Sequence, residues 1–242
     1  MGRLDGKVAV VTGGTQGIGR GIVLRFLKEG AQVVYCSRNP ANNAEMIPLI
    51  AAIRGGAARA RYVQADVGVK TQIQGVVHEA VKVFGRVDIV VNNAQGIAPL
   101  KPILEKPDED YAMTLATGFY HSLWTMQAAV PYIRRQKSGG SFINFSSHWA
   151  LNGMTYSSDY NITKGANEAL TRSAANEFGG DGINVNCILP GTLDTPENRA
   201  AMPDADFSRW VGTDALADVV LFLVTDAARA ISGAAIPVYG RS

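Results

Sequence analysis

Short apolar runs alternate with longer amphipathic stretches along the chain. Seven runs rich in β-branched residues are predicted strands, at 7–12, 31–37, 60–66, 87–93, 141–147, 183–190 and 234–240. Most of these runs are continuously apolar rather than alternating, which is typical of strands buried on both faces of a parallel sheet.

Helical periodicity fills the intervals between the strands. It predicts helices over 17–29, 42–54, 71–84, 108–137, 157–178 and 213–228. Glycines stand where several of these helices should end, at Gly30, Gly85, Gly179 and Gly180. The repeated strand–helix–strand order predicts an α/β fold: a doubly wound (Rossmann) parallel seven-stranded sheet with helices on both faces and right-handed crossovers.

No repeat, low-complexity tract or linker interrupts this pattern over the 242 residues. Residues 1–242 are therefore predicted to form a single domain. The least regular stretch, TLDTPENRAAMPDADFSRWVG at 192–212, lies between a strand and the last helix. We predict that it is a lid or substrate loop.

Composition narrows the class of protein. The chain is 47% hydrophobic and 18% charged with a net charge of +2, so no basic footprint for nucleic acid is expected. No apolar run reaches the ~18 residues that span a bilayer, and the N-terminus lacks a signal sequence, so we expect a cytoplasmic protein without a membrane partner. Cys36 and Cys187 are predicted to be buried, reduced thiols, and the three histidines lack metal-ligand spacing.

A glycine-rich turn, VVTGGTQGIGRG, follows the first strand and opens the first helix. Gly13, Gly17 and Gly19 have the spacing G-xxx-G-x-G. Glycines in this position permit a tight turn, close backbone approach to a pyrophosphate and close packing of the helix on the sheet. The helix N-terminus then faces the phosphates, which indicates a dinucleotide site.

The end of the second strand bears on which dinucleotide binds. A carboxylate there hydrogen-bonds the ribose 2′-hydroxyl of NAD(H), whereas an arginine accommodates the 2′-phosphate of NADP(H). The segment YCSRNP places Ser37 and Arg38 at this position with no acid nearby. The sequence therefore favours NADP(H). The alternative is NAD(H), with Arg38 serving only as a surface arginine.

Taken in order, the motifs resemble the short-chain dehydrogenase/reductase family, whose typical members have about 250 residues. They are TGGTQGIG (12–19), ADV (65–67), NNA (92–94), a serine thirteen residues before a tyrosine (Ser147, Tyr160), YNITK (160–164) and PGTLDT (190–195). The resemblance implies cofactor contacts from Gly13, Thr15, Gln16, Gly17, Ile18, Gly19, Ser37, Arg38, Asp66, Val67, Asn93, Ala94, Tyr160, Lys164, Pro190, Gly191, Leu193 and Thr195.

The resemblance also implies that Ser147, Tyr160 and Lys164 are catalytic, and the chemistry agrees. Hydride transfer to a ketone develops negative charge on the carbonyl oxygen, so a proton donor must stand beside it. Tyr160 and Lys164 share one helical face at i and i+4, where the ammonium can stabilise a phenolate and hold the ribose hydroxyls. Ser147, at the carboxyl end of a strand, can hydrogen-bond the same oxygen. Tyr160 is thus the expected general acid/base.

Two positions depart from the family pattern. Gln95 replaces the usual glycine of NNAG, where its side chain can narrow the pocket, bind substrate or pack locally. In LATGFY, Leu115 replaces an asparagine that in many members helps hold a water relaying protons to the lysine. Either Thr114, Thr117 or His121 substitutes, or backbone carbonyls hold the water alone, or turnover is slower.

The candidate substrate residues are mostly apolar or aromatic: Gln95, Ile97, His148, Trp149 and Tyr156. They favour a bulky or cyclic ketone or secondary alcohol. Acyl-carrier-protein thioesters are a rival class, disfavoured by Asn176 where such reductases commonly carry arginine. The leading prediction is an NADP(H)-dependent oxidoreductase. The alternatives are an NAD(H)-dependent alcohol dehydrogenase and a catalytically weak dinucleotide-sensing protein.

By the same resemblance, the helices at 108–137 and 157–178 would form the contacts of a homo-oligomer, a tetramer or a dimer.

Overall fold

Seven parallel strands form the central sheet of the protein, for which a computed structural model describes residues 2–241 apart from the side chain of Glu197. Including two short strands outside this sheet, the described residues form β1 (Val8–Thr12), β2 (Gln32–Ser37), β3 (Ala60–Gln64), β4 (Ile89–Asn92), β5 (Gly140–Phe145), β6 (Ile183–Pro190), β7 (Leu193–Asp194), β8 (Val211–Gly212) and β9 (Ala235–Val238). The sheet order is β3-β2-β1-β4-β5-β6-β9, and β7 pairs separately with β8. The predicted doubly wound, seven-stranded parallel sheet is confirmed.

Helices cover both faces of this sheet. They are α1 (Gly17–Lys28), α2 (Ala41–Ala51), α3 (Gly56–Arg59), α4 (Lys70–Phe84), α5 (Asp108–Leu115), α6 (His121–Gln136), α7 (Trp149–Asn152), α8 (Ser158–Phe178), α9 (Pro196–Ala201) and α10 (Thr213–Leu223). Ala9 and Val11 of β1 pack in the layer of α1 and α10, whereas Val8 and Val10 pack in the layer of α4, α6 and α8. Because both faces of the strand are buried, its sequence is continuously apolar.

The long helix predicted over 108–137 is interrupted. A π-helical turn at Ala116–Tyr120 separates α5 from α6, and the His121 N–H donates to the carbonyl of Ala116 five residues earlier. Threonine hydroxyls in the preceding turns donate to backbone carbonyls, Thr114 to Asp110 at 2.9 Å and Thr117 to Met113 at 2.8 Å. Such bonds compete with the regular α-helical ladder.

The predicted end of the last helix was wrong, and the stretch 192–212 contains regular elements, although its role as a lid or substrate loop stays a prediction. The last helix ends at Leu223 rather than at 228, because the Thr225 hydroxyl donates to the Phe222 carbonyl at 2.7 Å and a separate 3₁₀ turn follows at Asp226–Ala228. The stretch 192–212 is more ordered than a loop. It contains β7, α9, a 3₁₀ turn and β8, and Thr195 caps α9 ahead of a proline at its first position.

Both thiols are buried and unpaired, as expected. Burial raises the pKa of Cys36 and of Cys187 to about 12. In the described part of the chain, no helix is long and apolar enough to cross a membrane. Within the same residues, no three His, Cys, Asp or Glu side chains group so that they could hold a metal ion.

Candidate functional site

A cleft of about 490 Å³ opens at the carboxyl edge of the sheet, where the strand order reverses between β1 and β4. Ligands of open α/β sheets bind at such a reversal, and the volume suits a small-molecule site. The lining includes most of the predicted cofactor residues: Gly13, Thr15, Gln16, Gly17, Ile18, Ser37, Arg38, Asp66, Val67, Asn93, Ala94, Leu193 and Thr195. Gly19, Pro190 and Gly191 are not among the lining residues.

The glycine turn is held tightly against β4. Gly13 has a φ of +65°, and a Cβ there would lie 2.9 Å from Asn93 Nδ2, while a Cβ on Gly19 would collide with the Gly13 carbonyl oxygen. Asn93 Nδ2 donates to the carbonyls of Thr12 and Gly13 at 3.0 and 3.3 Å. Asn93 therefore fixes the turn as well as lining the cleft.

The N-terminus of α1 fits a pyrophosphate. It carries no side-chain cap and no acidic residue in its first turn. Gly17 faces open space, so the backbone can be approached closely. Uncapped N–H groups and the positive end of the helix dipole together make an anion site. The residues present therefore fit a bound dinucleotide.

At the adenosine end, Ser37 Oγ donates to the Asn39 carbonyl at 3.0 Å and lies 3.2 Å from the Tyr62 hydroxyl. Arg38 is exposed at the cleft and forms no ion pair within residues 2–241. Asp66 is the one acid among the described lining residues, and its Oδ1 accepts the Gly68 N–H at 2.9 Å. This end of the cleft is thus polar, with Arg38 as its cation.

Several residues that line the cleft were not among the site residues predicted from the sequence: Asn39, Asn42, Gly96, Thr117 and Asn198. Asn42 Nδ2 donates to Gln16 Oε1 at 3.0 Å, which links the loop after β2 to the glycine turn. The asparagines of SRNPANN were a visible signal of polar contacts after the second strand. Gly96 and Thr117 meet only because the π-helical turn packs on the loop after β4.

Tyr160, Lys164 and Ser147 lie beyond the cleft lining, at the ends of β5 and α8. Lys164 is buried, and its Nζ donates to the Phe145 carbonyl at 3.1 Å and lies 5.2 Å from the centroid of the Tyr160 ring. Ser147 is also buried, and its Oγ accepts the Trp149 N–H at 3.3 Å. The structure therefore brings the Lys164 ammonium to the face of the Tyr160 ring. It also ties Lys164 to the carbonyl of Phe145, which is two residues before Ser147 in the chain.

The Pro190 carbonyl accepts hydrogen bonds from within the protein. It accepts the His148 backbone N–H at 3.3 Å and lies 3.1 Å from His148 Nδ1. Gly191 N–H donates to the Val238 carbonyl at 2.9 Å. These contacts tie the segment after β6 to the segment that follows Ser147.

The other substrate candidates form an exposed apolar rim. Ile97 is 72% exposed, Trp149 packs on the His148 ring at 4.3 Å, and Tyr156 is also exposed. Tyr156 has a φ of +62°, a left-handed conformation that costs an aromatic residue about 1–3 kcal/mol. Its carbonyl accepts the Lys101 N–H at 2.9 Å, so the strained residue is held by the loop after β4.

Gln95 packs locally. Its Nε2 donates to the carbonyls of Gly96 at 2.8 Å and Thr114 at 3.4 Å, and its Oε1 is buried. Close by, Thr117 Oγ1 accepts the Gly96 N–H at 3.0 Å and joins the cleft wall. The side-chain amide thus spans the loop and the helix that carries Leu115.

The fold and the cleft define a dinucleotide-binding α/β protein, and comparison with known proteins narrows the class. The family model described as enoyl-(acyl carrier protein) reductase matches residues 13–240. L-Rhamnose 1-dehydrogenase (NAD(P)(+)) from Sphingomonas sp. (strain SKA58) is 33% identical over 250 residues, which cover 99% of this chain and 97% of that protein.

Two solved structures are also similar. A blue fluorescent protein from a metagenomic library, in complex with NADPH, has a TM-score of 0.86 and 31% identity, with 98% of both chains covered. Carveol dehydrogenase from Mycobacterium avium, in complex with NAD, has a TM-score of 0.89 and 25% identity, covering 99% of this chain and 98% of that one. The chain belongs to the short-chain dehydrogenase/reductase family of NAD(P)-dependent oxidoreductases.

Proposed function

We propose that this protein is an NADP(H)-dependent oxidoreductase that interconverts a ketone and a secondary alcohol, with Tyr160 as general acid/base. The observation that carries the proposal is the position of Lys164, whose Nζ lies 5.2 Å from the Tyr160 ring centroid on one face of α8. In this position the ammonium can stabilise the phenolate that remains when Tyr160 gives its hydroxyl proton to the substrate.

Each catalytic side chain has a separate task. Bound NADPH would supply the hydride. Tyr160 gives its hydroxyl proton to the oxygen of the substrate, and Lys164 stabilises the phenolate that remains. Ser147 Oγ already accepts the Trp149 N–H, so its own proton is available to the substrate oxygen. Ser147 thereby orients the carbonyl and stabilises the charge that develops on it.

Arg38 supports NADP(H) as the cofactor. Its planar guanidinium suits a phosphate, and Arg38 forms no ion pair within residues 2–241; the one acid in the described lining, Asp66, follows β3 rather than β2. NAD(H) remains the alternative cofactor, because the relatives include proteins described with NAD(P)(+), with NADPH and with NAD.

For the substrate we propose a bulky or cyclic apolar ketone or alcohol. The exposed side chains of Ile97, Trp149, Leu151 and Tyr156 support it, since apolar surface near a reactive group recognises apolar substrate. A sugar is the second candidate, because one relative is an L-rhamnose dehydrogenase. Asn176 disfavours acyl-carrier-protein thioesters, because no arginine stands at that position for an acidic partner.

Self-association as a tetramer or a dimer stays a prediction. Apolar side chains of α5, the π-helical turn and α8 are exposed on the single chain, among them Met113, Tyr120 and Ile162. Burial of these side chains against a second copy would remove them from water.

The cofactor assignment is tested by fluorescence titration of the purified protein with NADPH and with NADH. We expect tighter binding of NADPH and a loss of about tenfold or more in Arg38→Ala, because a charge-assisted hydrogen bond contributes about 1.5–3 kcal/mol. NADH binding should not change in that variant. Arg54→Ala, which removes an exposed arginine outside the cleft, is the matched control.

The other outcomes separate the alternatives. Preference for NADH in the wild type would establish NAD(H) use, and equal loss of both cofactors in Arg38→Ala would reject the assignment of Arg38 to the 2′-phosphate. If neither cofactor binds, the dinucleotide site itself is wrong. Tight NADPH binding without turnover of any ketone, alcohol or sugar in a broad panel would favour a dinucleotide-sensing protein.

A further inference from the structure

A buried polar cluster lies beside Lys164, between the loop after β4, the π-helical turn and α8. Its members are Gln95, Thr163 and Asn167, and the latter two are 0% and 2% exposed. They meet around Gly118. A Cβ on Gly118 would collide with Thr163 Cγ2 and Gln95 Oε1, and the Gly118 carbonyl accepts from Asn167 Nδ2 at 3.2 Å.

The orientation of both amides in this cluster is fixed. Gln95 Nε2 donates to the Gly96 and Thr114 carbonyls, and Asn167 Nδ2 donates to the Gly118 and Phe145 carbonyls. Rotating either amide by half a turn would place oxygen against carbonyl oxygen. Gln95 Oε1 and Asn167 Oδ1 therefore point away from these carbonyls and can only accept.

Three polar atoms of the cluster are buried without a partner among the described residues: Gln95 Oε1, Asn167 Oδ1 and the Thr163 hydroxyl. Buried acceptors in proteins are almost always matched by a donor, and an internal water commonly provides it. Two acceptors and a hydroxyl, on three residues that pack around Gly118, are the kinds of partner that an internal water usually has. The chemistry of the cluster is thus that of a water site.

Asn167 links this site to Lys164. The Phe145 carbonyl accepts both from Lys164 Nζ at 3.1 Å and from Asn167 Nδ2 at 3.3 Å. The Lys164 ammonium and the Asn167 amide therefore lie next to each other, because both donate to the same carbonyl oxygen. Gln95, which is only partly buried, also lines the cleft and connects the cluster to solvent.

The other polar side chains near Leu115 already make hydrogen bonds within the protein. Thr114 Oγ1 donates to the Asp110 carbonyl, and Thr117 Oγ1 donates to Met113 and accepts from Gly96. His121 has both ring nitrogens engaged, Nδ1 with the Thr117 carbonyl at 2.6 Å and Nε2 with Thr12 Oγ1 at 3.2 Å. The hydroxyl protons of Thr114 and Thr117 and both ring nitrogens of His121 are thus engaged among the described residues, so none of the three substitutes suggested by the sequence has a free donor.

We propose that Gln95, Thr163 and Asn167 hold a water that passes protons between Lys164 and solvent, in place of an asparagine at position 115. This inference rests on the proposed roles of Tyr160 and Lys164. In the reducing direction the Tyr160 O–H bond breaks as the alcohol O–H forms. Lys164 then returns a proton to the phenolate, the water protonates Lys164, and solvent protonates the water. In the oxidising direction each proton moves the opposite way.

Two variants that preserve side-chain volume test the relay. Thr163→Val removes a hydroxyl that has no partner in the described residues, and Gln95→Leu removes the amide. We expect kcat to fall about tenfold in each, less than the ~10²–10⁴-fold contribution of a direct acid–base group. NADPH affinity should be unchanged in Thr163→Val, because Thr163 is buried and is not among the residues that line the cleft. The solvent isotope effect on kcat should rise, and imidazole buffer should restore kcat in proportion to its concentration.

Thr171→Val on the same helix is the matched control, because its hydroxyl donates to the backbone carbonyl of Asn167 and accepts from Asn144 Nδ2, so it touches none of the three unpartnered side-chain atoms. It should retain kcat and show no response to imidazole. Unchanged kcat in both relay variants, or a loss that neither imidazole nor solvent isotope affects, would overturn the relay. If Tyr160→Phe also retains activity, the proposed function fails as well; if Tyr160→Phe is inactive, only the relay is wrong.

Discussion

Thr12 shows how one residue of the glycine motif acts beneath the cofactor site rather than in it. Its fully buried hydroxyl accepts the N–H groups of Asn93 at 3.0 Å and Ala94 at 3.1 Å. It also lies 3.2 Å from His121 Nε2. One hydroxyl thus joins β1, the segment after β4 and the start of α6, which fixes the floor of the cleft.

These contacts define the tautomer of His121. Its Nδ1 lies 2.6 Å from the Thr117 carbonyl, which only accepts, so Nδ1 carries the proton. Nε2 then accepts from the Thr12 hydroxyl. Burial lowers the pKa of His121 to about 4, since the charged ring would be desolvated, and the nearby Lys164 charge acts in the same direction. The histidine is therefore neutral in the folded protein at neutral pH.

This burial predicts a pH dependence of stability. Between pH 6.5 and pH 4 the unfolded chain binds one more proton at this site than the native protein, so the contribution is fully present above pH 6.5 and is lost as pH falls towards 4. The free energy of unfolding should fall by up to about 1.4 kcal/mol per pH unit in this window. Urea unfolding at pH 7.5, 6 and 5 measures it.

His121→Gln supplies the comparison for that measurement. A glutamine amide can donate to Thr117 and accept from Thr12 without titrating, so the variant should show a shallower pH slope. His78 and His148 are present in both proteins, and their contribution cancels in the difference. Identical slopes for the wild type and the variant would contradict the buried, neutral histidine.

At the scale of elements, a buried ion pair connects the loop before α5 to the first turn of α8. Lys106 Nζ lies 2.6 Å from Asp159 Oδ1, both side chains are at most 1% exposed, and Nζ also donates to the Pro99 carbonyl at 2.9 Å. Asp159 directly precedes Tyr160. The pair therefore holds α8, which carries the proposed catalytic residues, against the loop after β4.

Removing one partner of this pair should be strongly destabilising. Lys106→Met leaves a buried carboxylate uncompensated, and we expect it to lower the free energy of unfolding by about 3–5 kcal/mol. The double variant Lys106→Met/Asp159→Leu should recover most of this loss, because neither charge then remains buried. Urea denaturation of the two single variants and the double variant measures the coupling.

An exposed ion pair is the control for these variants. Arg61 pairs with Glu79 at 2.9 Å and is 55% exposed, so Arg61→Met should change the free energy of unfolding by less than about 1 kcal/mol. If Lys106→Met is as mild as this control, the buried pair does not hold the helix.

The strands were predictable because burial on both faces leaves a continuous apolar run in the sequence, as in β1 and β4. The π-helical turn was not. Asn167 donates to the Gly118 carbonyl in this turn and Gln95 donates to the Thr114 carbonyl just before it, and both are distant in sequence and are placed there only by the folded chain. The Lys106–Asp159 pair likewise joins residues from two elements. Local periodicity carries no information about such pairings.

For the site, the spacing of motifs in the sequence predicted which residues belong to it, but not the conformations that those residues adopt. The glycine turn, Arg38 and the Tyr160–Lys164 pair follow from short local patterns; the first two line the cleft, and the Lys164 ammonium lies over the Tyr160 ring beyond that lining. The direction of the Gln95 side chain could not be predicted, because it depends on which carbonyls the π-helical turn leaves without helical partners. The strained backbone of Tyr156 similarly depends on its contact with Lys101.

At the scale of the whole molecule, the order of the strands determines where chemistry can occur. The reversal between β1 and β4 opens the cleft at the carboxyl edge, and β5 with α8 brings Ser147, Tyr160 and Lys164 to the same edge. The predicted dinucleotide site and the proposed proton donor Tyr160 thus lie on neighbouring parts of one sheet, which the parallel pairing of β4 with β5 joins.

The most direct measurement of the proposed function is ketone reduction by Tyr160→Phe, with whichever ketone the wild type reduces. We expect the rate to fall by about 10² or more while NADPH affinity is unchanged, because the phenol proton is lost and the cleft is intact. Tyr132→Phe, on α6 and outside the site, should keep the wild-type rate. Reduction at the wild-type rate by Tyr160→Phe would contradict its role as the proton donor.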